Sequence, residues 1–246
     1  MILVLGGTTE GRRLAEALRE AEVTHVLSLA GRTTVEPGPG VRVGGFGGVA
    51  GLVDHLRAER VAGVIDATHP FASQMHRNAY EACAEAEVPL LRLEREGWEA
   101  HPLAPSWTWV ATHEEALAEC AQHKTVLLTV GRQEAPEYDE HPGRVIVRVA
   151  EAPDEWREKI PVHWEVLVAR GPFHPIEERR LLRRCDVMVS KDSGGAFNEA
   201  KLHAAHEVGV PVVMIRRPDM PASPVCTGVA EAVEWAKHQS KPNPAT

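Results

Sequence analysis

Long apolar runs are missing from this 246-residue chain. No stretch approaches about 18 consecutive apolar residues, which excludes a membrane-crossing helix. The opening residues also lack a basic patch leading into a sustained apolar run and a cleavage site, so the expectation is a cytoplasmic protein. Cysteine is scarce: Cys83, Cys120, Cys185 and Cys226 lie far apart with no C-x-x-C among them. Zinc and dithiol motifs are thereby absent, no metal is expected, and a reducing compartment fits. Cations are outnumbered, with 27 Lys and Arg against 35 Asp and Glu for a formal charge of −8. That balance argues against nucleic acid or acidic lipid as partner, yet leaves room for a local basic pocket.

Several enzyme motifs are missing too. A short-chain reductase or sugar epimerase places a Tyr four residues before a Lys, but Tyr80 is followed at that spacing by Ala84 and Tyr138 by Pro142. Neither G-x-S-x-G nor S-x-x-K occurs, which disfavours a serine hydrolase. His113-Glu114-Glu115 has no partner C-x-x-C, so a zinc deaminase is disfavoured. His203 and His206 share one face of an expected helix, where solvated or dipole-capping histidines outnumber ligands.

What the chain does contain begins at once. A bare apolar strand, residues 1–5, runs into Gly6-Gly7-Thr8-Thr9-Glu10-Gly11 and then a helix with Leu14, Leu18 and Ala21 on one face. Gly6, Thr8 and Gly11 stand at the three glycine positions of the dinucleotide fingerprint, with the middle one substituted. Gly6 can take the backbone angles of the tight turn, the small residues to Thr9 let main-chain N–H groups approach a diphosphate, and Gly11 lets the helix pack closely on the strand. The glycine spacing also matches a P-loop, but Arg12 and Arg13 occupy the positions that need Lys and Ser or Thr. The second strand ends at Ser28-Leu29-Ala30-Gly31-Arg32. No acidic residue holds the ribose hydroxyls there as an NAD site requires. Arg32, with Ser28 and Thr33, suits a 2′-phosphate instead, so NADPH is expected over NADH unless Arg32 is an ordinary loop arginine.

Strand and helix patterns alternate throughout. Strands are expected at 1–5, 24–29, 61–66, 88–93, 107–111, 125–130, 144–149, 165–169, 186–190 and 211–215, with helices including 49–58 and 195–208. The fold class is α/β with mainly parallel sheets. The periodic pattern lapses and prolines gather at 94–106, which divides the chain into domains at 1–100 and 101–246. The tail after 240 carries no apolar pattern.

Three further loops fall at carboxyl ends of strands, where open α/β sheets place ligands. Gly44-Gly45-Phe46-Gly47-Gly48 is either a backbone surface for a cofactor or a flexible connector. Asp66-Ala67-Thr68-His69-Pro70 delivers Thr68 and His69 ahead of a helix, for ligand contact, as an N-cap, or both. Ser190-Lys191-Asp192-Ser193-Gly194-Gly195 reads as a second anion or amide cradle, with Lys191 as a charge clamp.

These segments together resemble the precorrin-6A reductase family of cobalamin biosynthesis, including its cobalt-precorrin branch. The carriers are GGTTEGR at 6–12, SLAGR at 28–32, GGFGG at 44–48, DATHPFA at 66–72, LLTVGR at 127–132, SKDSGG at 190–195 and GVPVVMIRRP at 209–218. The resemblance implies two Rossmann-like domains, with NADPH and the active site in an interdomain cleft, and reduction of one double bond of a tetrapyrrole by hydride transfer and protonation. It places Gly6, Gly7, Thr8 and Gly11 by the diphosphate and Arg32 by the adenosine phosphate. Ser28, Gly45, Phe46, Gly47, Thr68, Ser190, Ser193 and Gly194 then complete the cofactor side, and His69, Lys191 and Asp192 are the catalytic candidates. A polycarboxylate substrate needs cations, for which Arg132, Arg170, Lys191, Arg216 and Arg217 are available. His69, His174, Asp192 or water can bring the proton. Transient contact with neighbouring pathway enzymes is a further expectation. The alternatives are an S-adenosylmethionine-dependent tetrapyrrole methyltransferase, which gives Arg32 no role, and a nonenzymatic dinucleotide sensor.

Overall fold

The computed structural model describes residues 1–31, 38–195 and 198–240. The strands are β1 (Ile2–Leu5), β2 (His25–Leu29), β3 (Val41–Val43), β4 (Gly63–Asp66), β5 (Leu90–Leu93), β6 (Thr108–Val110), β7 (Thr125–Thr129), β8 (Arg144–Val149), β9 (Trp164–Val168), β10 (Val187–Lys191), β11 (Val212–Ile215) and β12 (Val225–Cys226). The helices are α1 (Thr9–Glu20), α2 (Gly48–Ala58), α3 (Ser73–Ala86), α4 (His113–Cys120), α5 (Trp156–Lys159), α6 (Pro175–Leu182), α7 (Ala200–Val208) and α8 (Val229–Ser240). Two compact units result: Met1–Glu96 together with the chain from Pro218 on, and Gly97–Arg217.

The first unit is built on the sheet β12-β5-β4-β1-β2-β3, parallel at every pairing. Its strands are apolar on both sides because both faces are covered. Ile2 and Val4 of β1 meet Leu14 and Leu18 of α1 and Ala232 and Ala236 of α8. The alternate residues, Leu3 and Leu5, meet Leu52, Val53 and Leu56 of α2 and Ala79, Ala82 and Cys83 of α3. Each such fully buried leucine contributes about 1.5–3 kcal/mol relative to exposure, which makes this pattern the main source of the unit's stability.

The second unit carries the sheet β6-β11-β10-β7-β8-β9, again parallel throughout. Leu127, Ile146, Met188 and Met214 pack there with Leu182 of α6 and Leu202 and Ala205 of α7. Five strands of each sheet follow the same doubly wound order, and the sixth position is filled differently. In the first unit it is taken by β12, which arrives after the second unit is complete. In the second it is taken by β6, which precedes the others.

The sequence reading assigns 101–246 to one domain, and the structure differs. The chain leaves the first unit within the expected 94–106 seam but returns after Arg217. Val225 and Cys226 pair with Arg92 and Leu93, and α8 then covers the face shared with α1. A two-residue strand among Pro218, Pro221 and Pro224 has too little periodicity to be seen locally.

The topology fixes where ligands belong. In each sheet the connections reverse direction at one point, between β1 and β4 in the first unit and between β7 and β10 in the second. Loops at the carboxyl ends of those strands diverge there and leave a crevice.

Candidate functional site

In the first unit the crevice lies between the loops after β1 and β4. Gly6 donates its N–H to the Ser28 carbonyl at 2.9 Å, which carries the strand pairing one residue past β1. Gly7 follows with φ 131, an angle that favours glycine, and the space where a Cβ would stand is open. Thr8 caps α1: its hydroxyl accepts from Gly11 N at 3.0 Å and donates to Ala67 O at 2.8 Å. One side chain thus holds the helix start and joins both loops. Gly11 is the packing glycine, because a Cβ there would lie 3.3 Å from Gly6 Cα and 3.4 Å from both Ala67 Cβ and Ala67 O. The N–H groups of Gly7, Thr8, Thr9 and Glu10 find no acceptor among the described residues. Such a run of orphan donors at a helix start is an anion cradle.

Behind the β4 loop sits a pair the sequence reading missed. Asp66, at the end of β4, and His76, on α3, are both buried, and His76 Nδ1 lies 2.5 Å from Asp66 Oδ2. The other ring nitrogen lies 3.1 Å from the His69 carbonyl. Both nitrogens face acceptors, so Asp66 and the His69 carbonyl hold the ring in one orientation. Asp66 Oδ1 accepts from the Thr68 amide at 3.1 Å and from the Thr68 hydroxyl at 2.7 Å. Burial works to raise the Asp66 pKa, but the His76 and Thr68 hydrogen bonds outweigh it and hold the carboxyl below its ordinary range. The only trace in the sequence is an acid at the end of an apolar strand with a histidine ten residues on.

His69 and Thr68 are held half-buried by this pair. His69 Nδ1 accepts from the Phe71 amide at 3.2 Å, which leaves the proton of the neutral ring on Nε2 as a donor. Thr8, Glu10, Thr68, Leu93 and Arg95 line a small groove beside the loop, with Arg95 paired to Glu10 at 2.8 Å.

Ser28 and the glycine loop meet at the outer tips of β2 and β3. Arg42, opposite Ser28 in the register, donates to Ser28 Oγ at 3.3 Å, Gly44 O at 2.5 Å and Gly45 O at 2.7 Å. Its guanidinium lies 3.9 Å from the centre of the Phe46 ring. Arg42 therefore shapes the Gly44–Gly48 turn and adds a cation beside Ser28, a role masked in sequence by its place in a short strand. Gly47 and Gly48 both have φ 85, and a Cβ on Gly51 would fall 1.8 Å from the Phe46 carbonyl oxygen. Arg32, the expected phosphate ligand, and Thr33 lie outside the described residues.

The second unit brings Ser190, Lys191, Asp192, Ser193 and Gly194 to the end of β10. Lys191 Nζ lies 3.2 Å from Glu134 Oε1, with its pKa lowered by burial against the pull of that carboxylate. Asp192 is an anchor: its buried carboxylate accepts from Trp98 N at 2.8 Å and lies 3.5 Å from Arg217 Nε. Ser190 is fully buried, Gly194 has φ 64, and Ser193 N donates to Lys191 O at 2.6 Å. Nearby His113 is pushed down to about 4 by burial and by Lys191.

His101, Glu199 and His203 have ligand atoms within 4.8 Å of one another. His101 Nδ1, however, accepts from the Leu103 amide at 3.1 Å, which puts the neutral ring's proton on Nε2. A metal at Nε2 would require the other tautomer and the loss of that bond, so the trio is poorly arranged as a metal centre.

Comparison with known proteins agrees with the topology. The family model described as precorrin-6x reductase CbiJ/CobK matches residues 1–237. The chain is 42% identical over 250 residues to the precorrin-6A reductase of Rhodobacter capsulatus, covering 98% of each. It is 28% identical over 257 residues to the cobalt-precorrin-6A reductase of Priestia megaterium, covering 98% of this chain and 100% of that one. A solved structure of CobK precorrin-6A reductase superposes with a TM-score of 0.85 at 38% identity, covering 97% of both chains.

Proposed function

The chain belongs to the precorrin-6x reductase family, and from that premise we propose that it reduces precorrin-6A to precorrin-6B with NADPH. It is an oxidoreductase acting on a CH–CH group in cobalamin biosynthesis, and its family implies a nicotinamide cofactor and a tetrapyrrole substrate. The metal-free substrate is favoured over the cobalt form, because identity to the Rhodobacter enzyme is 42% and to the Priestia cobalt enzyme 28%.

The observation that carries the cofactor reading is the cradle after β1, with four consecutive backbone donors lacking acceptors among the described residues. These donors suit the diphosphate of a dinucleotide. Ser28 and Arg42 offer hydroxyl and cationic donors at the end of β2, where the described residues Leu29, Ala30 and Gly31 bring no acid, and Arg32 follows in the sequence. That chemistry favours the 2′-phosphate of NADPH. When bound, the cofactor supplies a hydride.

The chain's own residues bind and orient. Thr68 and His69 stand at the crevice edge, held by Asp66 and His76, and His69 Nε2–H is proposed to hold by hydrogen bond the water that delivers the proton. Gly6, Gly7, Thr8 and Gly11 shape the diphosphate cradle, and Gly45, Phe46 and Gly47 line its outer side. Ser190, Lys191, Ser193 and Gly194 are proposed contacts from the second unit, with Lys191 orienting a carboxylate or the carboxamide. The protein acts in the cytoplasm and makes transient contact with neighbouring enzymes in this reading; no helix among the described residues is long and apolar enough to cross a membrane.

The test is anaerobic incubation with precorrin-6A and NADPH or NADH, followed at the cofactor and macrocycle absorption bands. Stoichiometric loss of NADPH with a macrocycle shift, and much slower turnover with NADH, is expected. An unchanged macrocycle band would refute the reductase reading, and equal rates with both cofactors would refute the NADPH assignment.

A further inference from the structure

Lys201 is a cation in a place that disfavours one. It stands in the first turn of α7, only 7% exposed, within the second unit and beside its β7/β10 crevice. Its Nζ donates to the Thr129 hydroxyl at 3.1 Å, and that hydroxyl is itself spent on the Val189 carbonyl at 3.0 Å. An ammonium has three donors, and among the described residues no carboxylate lies within ion-pair distance of this one. Of the neighbouring acids, Glu134 pairs with Lys191, and Glu178 pairs with Arg148 through Oε1 while its buried Oε2 has no hydrogen-bond partner among the described residues.

A second donor beside it is also unmet. The Trp98 ring centre lies 5.9 Å from Lys201 Nζ, and its indole Nε1–H is buried without any acceptor among the described residues. Trp98 is only 3% exposed, and its position is fixed by its own amide on Asp192. Each orphan costs the fold free energy, since a buried polar group without a partner loses its hydration for nothing. With one ammonium N–H spent on Thr129, two remain beside the indole N–H, and a single positive charge matches a carboxylate rather than a phosphate dianion.

We propose that Lys201 and Trp98 form a carboxylate-binding site in the second unit that receives an acidic side chain of the tetrapyrrole. This rests on the reductase reading given above and assigns substrate binding to residues that reading does not use. Burial, then the nearby charges of Arg148 and Lys191, opposed by Glu178, push the Lys201 amine down to about 7. Arrival of a carboxylate reverses that, so binding draws a proton onto the amine.

The decisive variant is Lys201→Met, which keeps shape and removes charge, assayed as the full-length protein. A lysine kept for structure would lose stability on this change. A lysine kept for a ligand gains it, so the thermal midpoint should rise by about 2–4 °C. NADPH affinity by fluorescence titration should stay within about twofold, while KM for precorrin-6A rises about tenfold or more. A lower midpoint, an unchanged KM, or a loss falling on NADPH binding instead would each overturn the proposal. If the variant does not fold, wild-type protein titrated with precorrin-6A without NADPH at about pH 8, in two buffers of different ionisation enthalpy, gives the answer. Proton uptake on binding supports the site, and none refutes it. Failure of the reductase reading itself would be separate, seen as wild-type protein that turns over no precorrin-6A.

Discussion

The Thr8 hydroxyl donates to the Ala67 carbonyl at 2.8 Å while accepting from the Gly11 amide, so one threonine ties together the two loops of the first crevice and the start of α1. Thr8→Val keeps the shape and removes both bonds. The loss of an N-cap costs about 0.5–2 kcal/mol, and freeing the two loops from each other should weaken NADPH binding as well. Thr8→Ser should restore both. Thermal melts with cofactor titration check this, and a Val variant that binds like wild type would show the link to be dispensable.

The buried Asp66–His76 pair sets an acid limit on stability. Its folded pKa lies below the ordinary carboxylate value near 3.8, so the stabilisation is fully present above that value. It is lost as pH falls through the lowered folded pKa, because the unfolded state then binds the proton more readily. Asp66→Asn replaces the buried carboxylate that His76 and Thr68 bond, and the expected cost is about 1–3 kcal/mol at neutral pH. Denaturant melts across the acid range should show a wild-type decline that is flatter in the variant. Matching slopes would separate the pair from acid stability.

Gly51 faces the Phe46 carbonyl so closely that any Cβ must move it. Gly51→Ala should therefore displace the Gly44–Gly48 turn and weaken NADPH binding about tenfold or more, with the second unit unaffected. Unaltered affinity in a folded variant would take that turn out of the cofactor site.

Arg42 gives a separate test of cofactor choice. Replacing it with leucine should cost about 10- to 100-fold in NADPH affinity, through the loosened turn and the missing cation. NADH, without the 2′-phosphate, should lose less. Equal losses would make Arg42 a builder of the loop alone.

Much of this was legible from residue order. The β1 turn can be read because strand, glycine and helix signals are contiguous, and Gly11 packs where the fingerprint places it. The strand tips bearing Thr68 and Lys191 can be read for the same reason. What escaped depends on distant pairing. β12 is two residues long and gains its identity only against β5, and β3, three residues long, hides Arg42 among valines. Asp66 and His76 meet across a helix turn and a loop, and neither carries a local signal of burial. Lys201 looks like any polar residue at a helix start until its neighbours Leu202, Ala204 and Ala205 are seen to be buried with it.

The central claim is hydride transfer from NADPH to the macrocycle, and isotope tracing measures it most directly. Precorrin-6A is reduced anaerobically with NADPH deuterated at the transferable nicotinamide position, and the product is examined by mass spectrometry and NMR. The account predicts one deuterium per product molecule on a reduced ring carbon, with the second hydrogen coming from solvent. A reduced product containing no cofactor deuterium, with the label retained on the oxidised cofactor throughout when each face is tested in turn, would contradict it.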